Sequence, residues 1–390
     1  MVKRIILLVL DSVGIGELPD AKAFNSEGAN TLGNIVKKHP DIDLKHFLKL
    51  GLGNIEGIDY LPTENQPTAA FGRAMEYSNG KDTTTGHWEI AGIHLDKPFK
   101  TYPKGFPKEV LEEFEERTGK KGIGNKPASG TQIIEELGAE HLETQNPIIY
   151  TSADSVLQIA AHEEVIPLKE LYRMCEIARE IMTGENAVAR IIARPFIGSL
   201  GSFERTANRK DFSISPQENT ILDFTLEAGY EVVGIGKIDD IYNGQGISKK
   251  IASKSNEQGI KKTIEAIEEN TQGIIFTNLV DFDSKFGHRR DSKGYKEALE
   301  EVNQHLPSIL TSLKDQDLLI ITADHGNDPT YPGTDHTREY VPLLIVGDSV
   351  KQGANIGTRT SFSDIAATIS ELLQVKKPQN GNSFAKLIQK

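Results

Sequence analysis

Short apolar runs that end in a polar or charged residue recur along the chain and predict the buried strands of an α/β protein. The first covers Arg4–Leu10 and is followed by Asp11. Another covers Leu318–Ala323 and is followed by Asp324-His325-Gly326. Because parallel sheets form their sites at the carboxyl ends of the strands, we expect these polar residues to lie at one edge of a sheet.

The same patterns give the other elements of the sheet and its covering helices. Strands are predicted at Glu231–Gly236, Gly273–Val280 and Val341–Val346. Helices are predicted at Thr31–Lys38, Leu44–Leu50, Asn219–Ala228, Glu257–Glu269, Lys293–Leu313 and Ser363–Leu373.

From about Lys97 the sequence changes character. Lys97–Pro107 is interrupted by prolines, as in segments that link domains. The region that follows predicts a smaller set of helices and strands: a helix at Lys108–Thr118, a loop at Gly122–Thr131, a helix at Gln132–Leu137, strands at Ile148–Tyr150 and Val156–Ala160, a helix at Leu168–Thr183, a strand at Val188–Phe196, and a polar closing run at Phe203–Ser213. Alternation in the last strand places Arg190, Ile192 and Arg194 on one face, which could be a solvated edge or an anion site.

The length and the charge balance of the chain limit the number of domains and the classes of binding partner. The length of 390 residues favours two domains. With 44 basic and 56 acidic residues the net charge is −12, which argues against nucleic acid or an anionic membrane as a partner. A phosphate ligand would therefore need a local basic cluster or a metal ion. We infer no protein partner.

The only cysteine, Cys175, excludes an intrachain disulfide and fits a reducing compartment. It lies on an apolar helical stripe, which favours core packing over a role as nucleophile. The N-terminus resembles a signal peptide, but its apolar core of six residues ends in Asp11 and has no small-residue cleavage site. No other run approaches membrane-spanning length. We therefore expect a cytoplasmic protein.

A threonine-rich segment, Asp82-Thr83-Thr84-Thr85-Gly86-His87, comes directly before Trp88-Glu89-Ile90-Ala91. Asp and Thr residues in this position predict a helix N-terminus. Backbone N–H groups at such a terminus bind anions readily. On the local pattern alone, a capping cluster explains the three threonines better than a reactive site does.

Three carboxylates and three imidazoles stand at predicted strand ends or in nearby loops: Asp11, Asp283, His288, Asp324, His325 and His336. They suffice for two divalent metal sites with mixed oxygen and nitrogen ligands. Two such ions can bridge a phosphoryl group and stabilise its attacking and leaving oxygens. Asp281 competes with Asp283, but Asp283 lies closer to His288. A capped helix beside a solvated histidine is the alternative for Asp324-His325-Gly326 taken alone.

Four features together identify a family: Asp11 ending the first strand; Asp82-Thr83 before Thr85-Gly86-His87-Trp88-Glu89; Asp281-Phe282-Asp283 before Gly287-His288-Arg289; and Asp324-His325-Gly326-Asn327-Asp328-Pro329 before Gly333-Thr334-Asp335-His336-Thr337-Arg338-Glu339. They resemble the alkaline phosphatase superfamily and, within it, the bacterial manganese-dependent phosphopentomutase family. The resemblance covers essentially the whole chain. It implies an alkaline-phosphatase-like α/β core at residues 1–98 and 214–390, with a mostly parallel sheet flanked by helices. An inserted smaller α/β cap domain would occupy residues 99–213.

The resemblance also implies the roles of single residues. One metal ion would be held by Asp283, His288 and His336, and the other by Asp11, Asp324, His325 and the nucleophile. Thr83 is the implied nucleophile, with Thr84 and Thr85 as close alternatives. The implied ligands of the pentose phosphate are Ser152, Asp154, Arg190, Ile192, Arg205 and Lys237.

The implied activity is that of an isomerase in nucleoside and pentose phosphate metabolism. Ribose 1-phosphate and ribose 5-phosphate, or their 2-deoxy analogues, would interconvert through a phosphothreonine enzyme and a 1,5-bisphosphate. Two Mn²⁺ ions per subunit are expected in preference to Mg²⁺ or Zn²⁺. A sugar bisphosphate, such as glucose 1,6-bisphosphate or ribose 1,5-bisphosphate, would activate the enzyme. Pentose phosphates are thus the expected partners.

Other functions are possible on the same scaffold, namely a metal-dependent phosphatase or a phosphoglycerate-type mutase. The second normally carries serine in Asn-Ser-x-x-Gly-His, where this chain has Asp82-Thr83-Thr84-Thr85-Gly86-His87. A sulfatase is disfavoured because Cys175 lacks the proline of the Cys/Ser-x-Pro-x-Arg motif. A non-catalytic metal-binding protein would need the same ligands but no nucleophile at a helix N-terminus.

Overall fold

The computed structural model describes residues 2–152, 155–269 and 271–390. Contacts between Cα atoms divide the chain into two compact units. Unit 1 comprises Met1–Pro98 and Pro216–Lys390, and unit 2 comprises Phe99–Ser215. The insertion expected from the sequence was 99–213.

Regular elements alternate along both units. The strands within the described residues are β1 Arg4–Leu10, β2 Ala70–Ala74, β3 Ile123–Pro127, β4 Ile148–Thr151, β5 Val156–His162, β6 Arg190–Ile197, β7 Glu204–Arg205, β8 Lys210–Ser213, β9 Glu231–Ile235, β10 Lys249–Ile251, β11 Gly273–Leu279, β12 Asp317–Thr322, β13 Val341–Val346 and β14 Asn355–Arg359. The α-helices are α1 Thr31–Lys38, α2 Lys45–Leu50, α3 Thr83–Ile90, α4 Lys108–Thr118, α5 Gly130–Thr144, α6 Leu168–Ile181, α7 Ile221–Glu227, α8 Ile238–Ile241, α9 Asn256–Glu268, α10 Ser292–Ser312, α11 Ser363–Leu373 and α12 Ala385–Ile388. Shorter helical turns lie at Ala21–Phe24, Leu52–Asn54, Gly184–Asn186 and, in π form, Phe282–Gly287.

Unit 1 is built on one sheet with the strand order β10-β9-β11-β1-β12-β13-β2-β14. Strands β9, β11, β1 and β12 run parallel to one another, whereas β13 is antiparallel to both β12 and β2. Every residue of β1 and β11 is buried, as continuous apolar runs in a doubly covered parallel sheet should be. The predicted mostly parallel α/β core is therefore confirmed.

The direction of these strands decides where the polar residues go. Because β1, β9, β11 and β12 are parallel, the residues that follow them emerge at the same edge of the sheet. At the opposite edge, buried Arg4 pairs with buried Asp317, with 2.6 Å between Nη2 and Oδ2. This bidentate pair holds the first residue of β1 beside the first residue of β12.

Unit 2 has its own sheet, in the order β3-β4-β5-β6-β7, with β8 also paired to β6. One apolar cluster includes Val110 of α4, Cys175 of α6 and Ile159 of β5. A second cluster joins Ile133 of α5 to Ile148 of β4. The Cys175 side chain is fully buried, and burial raises the pKa of its thiol well above the ordinary value, so the prediction of a core cysteine is confirmed.

Several predictions in unit 2 were wrong. The expected loop at Gly122–Thr131 contains β3 and the first turn of α5, and α5 runs to Thr144 rather than Leu137. The polar run Phe203–Ser213, for which no element was predicted, contains β7 and β8. Strands β3 and β7 are short and pair on one side only, and such strands need not carry an apolar pattern. Among the described residues, no helix combines the length and the apolar character needed to cross a membrane.

Candidate metal centre and active site

Two groups of buried acidic and histidine side chains lie at the carboxyl edge of the unit 1 sheet. One group is Asp11, Asp324 and His325, and the other is Asp283, His325 and His336. Within each group the potential ligand atoms all lie within 4.8 Å of one another. His325 belongs to both, so the two groups form one continuous cluster.

The first group takes its geometry from the ends of β1 and β12. The Nε2 atom of His325 lies 3.5 Å from Oδ1 of Asp11 and 3.3 Å from Oδ2 of Asp324. Its Nδ1 atom donates a hydrogen bond of 3.0 Å to the carbonyl oxygen of Gly326. Nε2 of the neutral ring is then left with its lone pair facing the carboxylates, the form in which histidine binds metal.

The second group is organised around Asp283, which lies in the π-helical turn after β11. Its Oδ1 is 3.3 Å from Nε2 of His336, and its Oδ2 is 3.3 Å from Nε2 of His288. Nδ1 of His288 is 2.7 Å from the carbonyl oxygen of Thr334. Asn327 donates a 2.7 Å hydrogen bond to Oδ1 of Asp283. All six predicted metal ligands are thus brought to one edge of the sheet.

The competing carboxylate, Asp281, is engaged elsewhere. Its Oδ2 accepts hydrogen bonds from the backbone N–H of Asn256 and from Lys285, each at 3.0 Å. Asp281 therefore anchors the N-terminus of α9, and only Asp283 reaches the histidines.

Burial and mutual repulsion shape the electrostatics of the cluster. Burial raises the pKa of Asp11 to about 7, and the neighbouring carboxylates of Asp324 and Asp283 add to this increase. Burial also opposes ionisation of Asp283, yet the imidazoles of His336 and His288 hold the pKa of that carboxyl well below its ordinary value. Three buried carboxylates so close together are stable in their ionised form only with compensating positive charge.

The donor atoms fit divalent metal ions. Nine buried side-chain atoms of the described residues lack a hydrogen-bond partner, and three of them are Oδ1 of Asp11, Oδ2 of Asp324 and Nε2 of His336. A buried polar atom without a partner is costly. Each of these three atoms belongs to one of the two groups, so two cations would satisfy all three.

Helix α3 brings Thr83 to this cluster. Asp82 caps the helix by accepting from the backbone N–H groups of Thr84 and Thr85, each at 3.1 Å. The Thr85 hydroxyl donates back to Asp82 at 2.6 Å. The Thr83 hydroxyl instead lies 3.1 Å from Nε2 of His325. The capping interpretation is therefore right for the segment, and it leaves the first threonine facing the metal ligands.

A buried arginine that the sequence reasoning missed fixes the segment leading to Thr83. Arg338 donates to the carbonyl oxygens of Ser78 and Gly80 at 2.7 and 2.6 Å and pairs with buried Glu76 at 2.8 Å. Lys81 pairs with Asp335 at 2.8 Å. These bonds tie the loop of His336 to the loop of Thr83. Arg338 lies in a motif already noted, two residues after His336, but its partners are distant in sequence.

The expected pentose phosphate ligands fall in both units. In unit 1, Lys237 follows β9. Its ammonium group lies near enough to Asp11 to oppose part of the increase in the pKa of that carboxyl. In unit 2, Ser152 follows β4 and is partly buried, whereas Asp154 lies outside the described residues. Arg190 and Ile192 lie on β6. Arg205 of β7 pairs through its backbone with Phe196 of β6, and its guanidinium group lies near Tyr150 and Arg194.

One face of the unit 2 sheet is basic. Arg190 and Arg209 flank Asp211, with nitrogen–oxygen distances of 3.5 and 2.7 Å. Arg194, two residues beyond Ile192, donates to Gln158 at 3.0 Å. Three guanidinium groups around a single carboxylate favour an anion site over a neutral solvated edge.

Comparisons with known proteins decide the family. Residues 3–377 match the model of the Metalloenzyme superfamily. The chain is 61% identical over 384 residues to a phosphopentomutase of Alkaliphilus oremlandii, with 98% of each chain covered. It is 57% identical over 383 residues to a phosphopentomutase of Clostridioides difficile, again with 98% of each covered. The chain belongs to the phosphopentomutase family.

Phosphopentomutases of other organisms match both units of the chain. The protein of Alkaliphilus metalliredigens is 60% identical over 388 residues and covers 100% of each chain. A solved phosphoglycerate mutase of Leishmania mexicana is 12% identical, with 98% of this chain and 97% of that one covered and a TM-score of 0.43. The PH0037 protein of Pyrococcus horikoshii is also 12% identical, covers 98% and 99%, and has a TM-score of 0.47.

Proposed function

We propose that this chain interconverts ribose 1-phosphate and ribose 5-phosphate, and the 2-deoxyribose analogues, through a phosphorylated Thr83. The observation that carries the proposal is the 3.1 Å approach of the Thr83 hydroxyl to His325, the residue common to both ligand groups. Full-length identity of 61% to a named phosphopentomutase supports the same reaction.

Two metal ions would be held by the predicted ligand sets: Asp283, His288 and His336 for one, and Asp11, Asp324, His325 and Thr83 for the other. When bound, the ions would supply Lewis-acid stabilisation of the charge on the reacting oxygens. We propose Mn²⁺ as the native metal because the chain resembles the manganese-dependent phosphopentomutases; the three carboxylates suit this ion, and the imidazoles would also accept Zn²⁺. The Asn327 and Thr334 bonds to Asp283 and His288 would hold these ligands in place before the metal arrives.

The chemical steps follow from the position of Thr83. Phospho-Thr83 transfers its phosphoryl group to the C1 hydroxyl of ribose 5-phosphate: the bond from phosphorus to Oγ1 breaks, a bond to the sugar oxygen forms, and the sugar proton returns to Oγ1. The resulting 1,5-bisphosphate then donates its 5-phosphoryl group to Thr83, which leaves ribose 1-phosphate and restores the phosphoenzyme. A sugar bisphosphate such as glucose 1,6-bisphosphate would load Thr83 initially.

We propose that unit 2 acts as the cap and supplies ligands for the phosphate that is not being transferred. Its basic face carries Arg190, Arg194 and Arg209 around Asp211. Arginine forks hold phosphate with two parallel hydrogen bonds, and they do so without reacting. Orientation of the substrate would thus be separated from the chemistry at Thr83.

Phosphorus NMR tests the proposal. Purified protein is incubated with ribose 5-phosphate, Mn²⁺ and a trace of glucose 1,6-bisphosphate, and the metal is removed by chelation before spectra are taken. We expect exchange between the 5-phosphate and 1-phosphate resonances. Release of inorganic phosphate without isomer exchange would indicate a phosphatase instead. Exchange with 3-phosphoglycerate as the preferred substrate would indicate a phosphoglycerate-type mutase.

A further inference from the structure

Two buried polar residues beside the metal ligands have no role in the reaction as derived so far. His87 lies on α3, four residues after Thr83, and Asn278 lies on β11 opposite Val9 of β1. Neither is more than 1% exposed. Buried polar side chains are costly unless their hydrogen bonds are made, so their partners indicate what they do.

Their contacts connect the nucleophile to the first group of metal ligands. Nδ2 of Asn278 lies 3.0 Å from Oδ2 of Asp11 and 3.0 Å from Nε2 of His87. Nδ1 of His87 lies 2.9 Å from the carbonyl oxygen of Thr83 and 3.1 Å from Oδ2 of Asp324. A single chain of contacts therefore joins Asp11, Asn278, His87, Thr83 and Asp324.

The direction of these hydrogen bonds can be deduced. A carboxylate that binds metal is ionised and can only accept, so the Asn278 amide must turn its NH₂ group toward Asp11. The second N–H of that group then donates to Nε2 of His87. A neutral His87 consequently carries its proton on Nδ1 and donates it to the Thr83 carbonyl oxygen, while Oδ2 of Asp324 lies 3.1 Å from the same nitrogen.

Helix α3 is packed directly against Asp324 at the same point. A Cβ atom on Gly86 would lie 2.1 Å from the carbonyl oxygen of Asp324, so only glycine allows this approach. The next residue, His87, stacks on Phe276 at 5.7 Å between ring centroids. The imidazole therefore has a fixed position as well as a fixed hydrogen-bonding pattern.

From these contacts we infer that His87 and Asn278 are positioning residues, which hold Asp11, Asp324 and the first turn of α3 in one fixed arrangement. The inference rests on the proposed function. His87 and Asn278 would then set the distance between the nucleophile and the metal bound by Asp11 and Asp324. Their contacts are with Asp11, with Asp324 and with the carbonyl oxygen of Thr83, and they act on the reaction through these groups. Residues that orient metal ligands in this way typically change metal affinity about 10- to 100-fold when replaced.

The main test is Mn²⁺ binding, followed by the paramagnetic resonance signal of the free ion. Asn278→Asp keeps the size of the side chain but removes the donor and places a negative charge against Asp11. We expect one of the two Mn²⁺ sites to weaken about 10- to 100-fold and the other to stay within about threefold. The matched control is Asn303→Asp, because buried Asn303 uses only its oxygen, as an acceptor from the backbone of His46 and Phe47. It should bind both ions normally.

Variants at His87 separate positioning from packing. His87→Asn places an amide N–H near the position of Nδ1, whereas His87→Ala removes the donor. Phosphorylation of Thr83 by glucose 1,6-bisphosphate should fall at least tenfold in His87→Ala and recover in part in His87→Asn. Thermal unfolding identifies any variant that does not fold. If His87→Ala does not fold, the Mn²⁺ affinities of Asn278→Asp alone test the positioning role.

Unchanged affinity of both Mn²⁺ sites in folded Asn278→Asp would overturn the inference. Equal loss of phosphorylation in His87→Ala and His87→Asn would also overturn it, because packing alone would then explain the residue. The failure of the proposed function is distinguishable: the unaltered chain would bind two Mn²⁺ ions and still show no isomer exchange. The binding measurements on the Asn278 variants would remain valid in that case.

Discussion

The three adjacent threonines at the start of α3 differ in what their hydroxyl groups contact. The Thr85 hydroxyl is bound to Asp82, and the backbone N–H of Thr84 serves the same cap. The Thr83 hydroxyl points to His325. Thr83 is also the first residue of α3, and the dipole at a helix N-terminus favours a negatively charged phosphate attached there.

Thr83→Ala should lower isomerase activity by about 10³-fold or more, because the group that carries the phosphate is gone. The free energy of unfolding should change by less than about 1 kcal/mol, since His325 is the one hydrogen-bond partner of this hydroxyl among the described residues. Peptide mass spectrometry after incubation with glucose 1,6-bisphosphate should find phosphate on Thr83 in the unaltered protein. Thr83→Ser is the control that keeps a hydroxyl. Phosphate on Thr84 or Thr85 instead would assign the nucleophile to that residue.

Among the secondary-structure elements, α3 depends on a glycine for its position. Gly86 allows the helix to lie directly against the Asp324 backbone. In an ordinary helix interior, alanine in place of glycine would add about 1 kcal/mol of stability. Here the added methyl group would meet a backbone oxygen that cannot move without displacing a metal ligand.

Gly86→Ala should therefore destabilise the protein and reduce isomerase activity at least tenfold, although alanine favours helix. Denaturant unfolding and the NMR assay measure the two effects. The matched control is Gly259→Ala in α9, where the new methyl group would meet the end of the Leu279 side chain at 2.7 Å, a flexible neighbour. A Gly86→Ala protein as stable and as active as Gly259→Ala would show that the close approach to Asp324 is unimportant.

The central elements could be predicted because their sequence pattern and their environment agree. Helix α11 and strand β13 have the bounds that the pattern gave, Ser363–Leu373 and Val341–Val346, since helical periodicity and an apolar run define them. Strand β14, Asn355–Arg359, was not predicted: it pairs only with β2, and most of its residues are partly exposed. Local pattern carries little information about strands whose partner is on one side only.

The residues of the site also fall into some that the sequence could predict and some that it could not. Acids directly after apolar runs could be placed at the sheet edge because the direction of parallel strands fixes where they emerge. The contacts of His87 with Asn278, and of Arg338 with Glu76, join segments far apart in sequence. No spacing rule links such residues, so only the folded chain reveals them.

For the molecule as a whole, the division into two units predicts that a substitution on the basic face of unit 2 weakens substrate binding and leaves metal binding unchanged. Arg190 lies on the basic face of unit 2, and we propose that it binds the phosphate that is not transferred. Loss of a charge-assisted hydrogen bond costs about 1.5–3 kcal/mol, which corresponds to about a 10- to 100-fold change in binding.

Arg190→Ala should accordingly raise the KM for ribose 5-phosphate about 10-fold or more, with Mn²⁺ content unchanged. Steady-state kinetics and metal analysis measure both. The control is Arg117→Ala, which removes only partly exposed ion pairs with Glu180 and Glu113 on other surfaces of unit 2. A KM equal to that of the control would remove Arg190 from the substrate site.

The pairing of β1 has a consequence for how the protein is made. Its partners β11 and β12 begin at Gly273 and Asp317, so β1 leaves the ribosome long before either neighbour exists. At about 5–20 residues per second, the interval before β11 is complete is roughly 13–50 s. Unit 2, whose residues 99–215 are contiguous, can fold within that interval. During synthesis this strand, all of whose residues are buried in the folded protein, must therefore wait unpaired, and it is the segment that a chaperone would need to shield.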